Sequence, residues 1–370
     1  MSGHERLVIS AWELAPGPDG PWIATTAPNT VAGALRAAGQ WSLDGAARAF
    51  DKEDWYWRAK VPLAPAAPGE EIVLCLDGLA TIADVSWNGA QIISSNDMFV
   101  AHELAVVPSA SGENELVIHC RALDGALAQK RPRPRWRVPM IEQQQLRWIR
   151  TTLLGRTPGW SPPAAAVGPW REVRIERRRG VVIEGVRLRA ALDGPNGDDG
   201  VLGVICKARG ASGGPAPVSI VLTRNGREHR IALTANVGAG EYAGRLVVPM
   251  ADRWWPHTHG EPALYRAHLE VASSEGTAQV ELGSIGFRTI AVDQTGGDFA
   301  VEVNGVRVFC RGACWTPIDP VTLDAPPAAV DAAIAQAAAC GMNMIRVGGT
   351  MVYESDAFHD ACDARGVMVW

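Results

Sequence analysis

Through most of the first 290 residues, apolar and polar positions alternate with a period of two, the signature of strands with one buried face. WYWRAKV at Trp55–Val61 and NELVIHC at Asn114–Cys120 are clear cases. Three Asn-Gly pairs interrupt such stretches, at Asn88-Gly89, Asn225-Gly226 and Asn304-Gly305. Both residues tolerate positive φ, so each pair predicts a two-residue hairpin turn. Helical spacing is rare here, and NTVAGALRAAG at Asn29–Gly39 predicts a short helix within a connection.

The run Arg177-Arg178-Arg179-Gly180 separates two sets of strands and predicts a boundary near Gly180. From Val181 to about Ile290, seven short apolar stretches separated by turn residues predict a small β-sandwich of immunoglobulin-like type: GVRLRAAL, GVLGVICKA, VSIVLT, HRIALTA, YAGRLVV, YRAHLEVAS and TAQVELG. No Cys-Trp-Cys pattern marks it as an antibody domain.

After Asp293-Gln294-Thr295-Gly296-Gly297 the period changes. A hairpin, VEVNGVRVF, leads through CRGACW to an alanine-rich stretch in which Val330, Ile334, Ala337 and Ala338 recur at helical spacing. Pro326 and Pro327 stand near its start and Gly341 at its C-cap. MNMIRVGG, a second helix with Ser355 as N-cap and Phe358, Ala361 and Cys362 on one face, and VMVW follow. Strand-helix-strand-helix-strand units of this length build parallel sheets, doubly wound or closed as a (β/α)₈ barrel. GVMVW at Gly366–Trp370 is expected to be the third strand of something larger.

Composition narrows the function. With 370 residues the chain suits two or three domains, and 47% hydrophobic residues, 20% charged and a net charge of -5 disfavour a nucleic-acid partner. KRPRPRWR at Lys130–Arg137 is a basic exception, expected to be a solvated Pro-rich loop. His4, Glu5 and Arg6 sit where a secretory signal needs apolar residues, and no apolar run approaches membrane-spanning length, so a cytoplasmic location and no membrane partner are expected. Seven cysteines without a CxxC pair or zinc spacing are expected to be reduced core residues, with no metal or cofactor. There is no GxGxxG, Walker loop, GxSxG elbow or HExxH.

Taken in order, DKEDWYWRAKV, LDGLATIADVSWNG, GENELVIHC, RWWPHTHGEPALY, IGFRTI, VNGVRVFCRGACWTPID and MNMIRVGGTMVYESDAFHDACDARGVMVW resemble segments of glycoside hydrolase family 2, most nearly its β-mannosidase branch. The resemblance implies a mainly β multidomain chain: a jelly-roll sugar-binding-like domain over 1–180, an immunoglobulin-like β-sandwich over 181–292, and the first three strands of a TIM-barrel catalytic domain over 293–370. Two departures stand out. Gly348 and Gly349 follow Arg346-Val347 where the mannosidase pattern has a Trp, and Gly159-Trp160-Ser161-Pro162-Pro163 replaces a Trp-Asp-Trp insertion.

Retaining glycoside hydrolysis needs two carboxyl groups about 5–5.5 Å apart. In the resembled family both are glutamates on later barrel strands, so no catalytic acid or base is assigned and the chain alone is expected to be inactive. Glu354, Asp356, Asp360 and Asp363 read as a solvated helix face, and Glu53 and Asp54 as surface or structural groups. The resemblance implies substrate-side roles for Arg346, which would hydrogen-bond the catalytic carboxylates, for Trp315, as an apolar wall for a sugar ring, and for Asp319, orienting a hydroxyl. A structural ion pair, core packing and a loop cap are the respective alternatives. The expected partner is a β-linked oligosaccharide or glycoside, the oligomeric state staying open. A noncatalytic carbohydrate-binding protein, or β-galactosidase or β-glucuronidase specificity, is the alternative function.

Overall fold

A computed structural model describes residues 5–132, 134–194, 197–210, 216–236, 240–273 and 276–370. His4 and Arg133, each part of a sequence expectation above, lie outside them.

Ten strands between residues 5 and 179 form two antiparallel sheets. One runs Ile23–Thr26, Ala11–Ala15, Trp55–Pro62, Glu113–Cys120, Ala83–Trp87, Ala90–Ser95; the other runs Glu5–Val8, Val173–Arg179, Glu70–Leu76, His102–Ala105. Alternation decides how they pack: Trp55, Trp57, Ala59 and Val61 point inward while the residues between them stay partly or fully exposed. Those side chains join Leu74 and Ile175 of the opposite sheet in one buried cluster, making a sandwich. Trp57, fully buried, lies so close to Gly168 that a Cβ there would stand 2.7 Å from its ring; at φ +120° the position takes glycine for two independent reasons. The outer face of the four-stranded sheet is an ion ladder. Arg174 pairs with Asp77 and Glu176, and Arg178 with Glu176 and Glu103.

Residues 181–285 form a second sandwich, its sheets running Val181–Asp193, Asp199–Gly210, Glu241–Val248, Thr234–Asn236 and Arg227–Ala232, Val218–Arg224, Tyr265–Ser273, Gly276–Ile285. The expected strand HRIALTA is divided. Residues up to Ala232 pair with Val218–Arg224, those from Thr234 pair across the core with Glu241–Val248, and buried Leu233 makes the crossing. Alternation cannot show such a switch, because the inward side chains keep their spacing through it.

All three Asn-Gly pairs form turns with both residues at positive φ, Asn near 50° and Gly near 80°. The helix expected at Asn29–Gly39 spans Val31–Ala37, its N-cap Thr30 accepting from the Gly33 amide and donating to the Val321 carbonyl.

The strands Ile290–Asp293, Ala300–Val303 and Val306–Val308 pair antiparallel, and beyond them Gly312–Trp315, Met344–Val347 and Met368–Val369 form a parallel sheet. Helices Pro327–Ala339 and Asp356–Ala364 connect its strands. Gly341, at φ +78°, follows the C-cap Cys340; Ser355 occupies the N-cap position, but its side chain makes no capping bond. The second sandwich grips this unit at the N-terminal ends of its strands. Trp254 Nε1 donates to the Asp363 carbonyl (2.8 Å), the His257 amide to Gly366 (2.9 Å), His257 Nε2 to Met342 (2.8 Å) and Asn343 Nδ2 to Thr258 Oγ1 (3.0 Å).

Candidate functional site

Period-two alternation divides the parallel strands into two faces. Ile345 packs with Val330, Ile334 and Phe358 against the helices, so its neighbour Arg346 points to the opposite side. There Arg346 is exposed, Nη1 lying 3.8 Å from Cys314 Sγ and the guanidinium 5.8 Å from the centre of the Trp370 ring.

Trp315 is in register with Val347, not Arg346, and therefore belongs to the helical face. Its ring centre lies 5.0 Å from that of Phe358, and Nε1 donates to Glu354 Oε1 at 2.9 Å. Asp319 is a loop-capping residue: Oδ1 accepts from the Val321 and Thr322 amides, and the carboxylate pairs with Arg36 of the first sandwich. Burial pushes its pKa up, but Arg36 and the loop amides outweigh that and hold it below the usual range. The structure thus brings Trp315 and Asp319 to one cleft and places Arg346 on the other face of the sheet.

That cleft has a volume of about 420 Å³ and lies between Trp170–Arg171 of the first sandwich and the loops after the first two parallel strands. Alternation and composition gave no sign of three of its residues: Arg171, Asp324 and Tyr353. Glu354 is a correction, because it is half-buried rather than part of a solvated face; its segment turns inward ahead of the helix to meet Trp315. Desolvation raises its pKa despite the Trp315 N–H bond, and raises that of Asp324 despite the Ala325 amide. Asp363, placed with Glu354 in the same expected face, is likewise half-buried and raised by desolvation, against Arg288 and His359.

The loop after Met344–Val347 is held by the first sandwich. Thr152 Oγ1 donates to the Thr350 and Met351 carbonyls (3.1 and 3.0 Å), the Leu153 amide to Thr350 (3.2 Å) and Arg171 Nη2 to Tyr353 (2.7 Å). Val352 is buried beside Met98, Leu154 and Trp170. Where the mannosidase pattern has a Trp, this chain has Gly348-Gly349 and a loop tethered through its carbonyls.

Other expectations sort less evenly. Trp136 of the basic stretch is exposed, with the Arg147 guanidinium 4.9 Å from its ring centre, and Trp160 is also exposed. Cys75, Cys120, Cys206 and Cys362 are buried, three of them pushed by desolvation to a pKa of about 12 (Cys75, Cys120 and Cys362). Cys314 and Cys340 are exposed and so are not core residues. Among the described residues no cluster of three His, Cys, Asp or Glu is placed to hold a metal ion, and no helix is long and apolar enough to cross a membrane.

Residues 12–171 match the family model described as the glycosyl hydrolase 2 galactose-binding domain-like domain. β-Mannosidase B of Aspergillus terreus is 29% identical over 337 residues, covering 88% of this chain and 39% of the relative. β-Mannosidase B of Emericella nidulans is 28% identical over 372 residues, covering 94% and 43%. Among solved structures, β-D-mannosidase from Dictyoglomus thermophilum superposes over 99% of this chain and 47% of its own, with a TM-score of 0.85 at 23% identity. A Parabacteroides merdae β-glucuronidase covers 99% and 45%, with a TM-score of 0.71 at 16% identity. The chain spans less than half the length of each of these relatives. By its first domain, and by sequence and fold along nearly all the rest, it resembles the N-terminal part of glycoside hydrolase family 2 enzymes of the β-mannosidase kind.

Proposed function

We propose that the chain is the N-terminal portion of a retaining glycoside hydrolase that cleaves terminal β-mannosides, and that it is inactive alone. On this reading residues 1–180 are a jelly-roll domain, 181–292 an immunoglobulin-like domain, and 293–370 the opening of a TIM barrel. The observation that carries it is the position of Arg346. It stands at the C-terminal end of a parallel strand, where barrel enzymes place their chemistry, on the face without helices. A guanidinium there would donate hydrogen bonds to a catalytic carboxylate and favour its ionised form. The described part of that face carries Cys314, Met344, Arg346, Met368 and Trp370 and supplies no carboxyl pair, so both would come from further polypeptide. A reducing, cytoplasmic location fits the buried free thiols.

The test is hydrolysis of p-nitrophenyl β-mannoside by this chain and by the full-length gene product. No turnover by the chain, and β-mannoside turnover by the longer protein that exceeds its rate on the β-galactoside and β-glucuronide, is the expected result. Turnover by the 370-residue chain would overturn the claim of inactivity, and preference for another glycoside the proposed specificity.

A further inference from the structure

The outer face of the second sandwich carries a group of cations that the glycosidase reading does not use. In the sheet of Val181–Asp193, Asp199–Gly210 and Glu241–Val248, the side chains of Leu188, Leu202, Val204 and Leu246 fill the core, so the residues between them face outward. Register sets the outward residues in rows across the three strands. Lys207 lies between Glu184 and Glu241, a row whose charges offset one another. Four residues along, Arg189, Gly203 and Arg245 share a row, and Arg187 stands two residues from Arg189 on the same strand face. Here the charges are not balanced. Arg187 and Arg189 are exposed and have no hydrogen-bond or ion-pair partner among the described residues, while Arg245 pairs with Asp193.

Gly203 is the unexpected member of that row, because glycine inside a strand is destabilising relative to alanine. Its neighbours have local reasons to be glycine. Gly185 stands at φ +57°, a Cβ on Gly200 would lie 2.8 Å from Ala251 and 2.9 Å from Phe287, and one on Gly244 would lie 2.6 Å from Leu233. At Gly203 φ is not left-handed, and a Cβ would meet nothing closer than 3.7 Å. Neither backbone geometry nor packing requires it. A strand left bare in this way is where a ligand can approach the backbone. Arg189 and Arg245 flank the bare position at a separation of about 10 Å, two interstrand spacings, so both side chains can reach a group seated over it. Three guanidinium groups less the Asp193 carboxylate leave two positive charges, and Ile205 (40% exposed) and Val247 (41%) supply apolar surface beside them. We propose that this face binds a phosphate monoester, with Arg189 and Arg245 donating to its oxygens over Gly203, Arg187 adding charge, and the ester group lying against Ile205 or Val247. A phosphate monoester, with its second pKa about 6, is a dianion at neutral pH and matches the two charges. A carboxylate or a sulfate ester carries only one.

The experiment titrates the intact chain with phenyl phosphate at low salt and a pH of about 7.5, by phosphorus NMR and calorimetry, with phenyl sulfate and benzoate as singly charged probes. Phenyl phosphate should bind with Kd on the order of 1 mM, as suits an open site, and the two singly charged probes about fivefold more weakly. Arg189→Gln and Arg245→Gln should each weaken binding about tenfold, the scale of one hydrogen bond to a charged group. Gly203→Val covers the bare backbone and should abolish binding. Valine suits a strand, so the same variant should keep or raise the urea midpoint, which separates lost binding from lost folding. Arg189→Gln, at an exposed side chain, gives the same test without touching the backbone. Absence of phenyl phosphate binding, benzoate bound as tightly as phenyl phosphate, or binding that survives both Arg189→Gln and Gly203→Val would each overturn the proposal. The site lies wholly within the second sandwich, so none of these outcomes alters the glycosidase assay and a failed glycosidase assay alters none of them.

Discussion

The first sandwich and the parallel sheet are built from the same period-two alternation, yet only the sandwich is covered on both faces. Its four-stranded sheet buries Leu74 and Ile175 inward and roofs the outer face with Arg174, Glu176 and Arg178. The parallel sheet has helices on one side; on the other, Met344 and Met368 pack beside the hairpin residues Val303 and Val308, while Trp370 is 70% exposed. Phe299 and Phe309 stand exposed in a cavity on this side that Met344, Met368 and Trp370 also line. Parallel sheets are stable where both faces are covered, so this unit depends on its neighbours more than the sandwich does. Carboxylates show the same contrast. On the ladder they meet guanidinium groups, whereas Glu354 and Asp363 lose water and have no ion-pair partner among the described residues.

The largest effect should come from the sandwich core. Trp57→Ala, at a fully buried ring, is expected to cost about 3–5 kcal/mol and to lower the urea midpoint of the whole chain. Ile345→Ala, at 3% exposure, should cost about 2–4 kcal/mol, the lower part of its range, because neighbouring side chains can relax toward the uncovered face. Its effect should be confined to the parallel unit, read as lost amide-exchange protection at Met344–Val347 with Leu74 unchanged. Equal loss at both positions would show that the two regions unfold together and break the comparison.

Next in size is the tether between them. Thr152→Val removes the hydroxyl that serves the Thr350 and Met351 carbonyls, and should cost about 1–2 kcal/mol, with Thr152→Ser restoring most of it. Faster exchange across Gly348–Tyr353 is the expected readout; unchanged protection there would mean the buried Val352 alone holds the loop.

Much of this architecture was legible because local chemistry and tertiary structure agree. Asn-Gly turns need positive φ wherever they occur, and inward residues at every second position define a strand before its partner is known. What stayed hidden depends on partners distant in sequence. Leu233 changes sheets without disturbing its own pattern. Glu354 reads as part of a solvated helix face because nothing in its neighbourhood reveals that Trp315, 39 positions earlier, donates to it. The alternatives of loop cap and core packing for Asp319 and Trp315 were visible, but which applied depended on Arg36 and Phe358. The place of Arg346 at the end of its strand follows from MNMIRV alone, and its face follows from alternation only because Ile345 packs against the helices.

Arg36→Ala tests the weaker contact between the regions. The pair with Asp319 is partly exposed, so the loss should be about 0–1 kcal/mol, smaller than for Thr152→Val. A loss as large as that of Thr152→Val would move the principal link from the Thr350 loop to the Asp319 loop.

The smallest effect expected is one of sign, in the pH dependence of the two regions. Burial raises the pKa of Glu176, but Arg174 and Arg178 outweigh it, so the folded value lies below the ordinary 4.5. Its contribution is present above that pH and is lost as pH falls through the folded value. Glu354 and Asp363 are raised by desolvation above 4.5 and 3.8, so what they contribute is complete at low pH and is lost as pH rises through their folded values. Lowering the pH through the raised folded values of Glu354 and Asp363 should therefore firm the parallel unit, whereas the sandwich should begin to weaken only below about 4.5, the ordinary value of Glu176. Exchange protection at Ile345 and Leu74, corrected for the intrinsic pH dependence of exchange, follows both regions in one sample. Protection at Ile345 that falls in step with Leu74 on acidification would mean that Glu354 and Asp363 find cationic partners when ionised, and the contrast between the regions would then rest on packing alone.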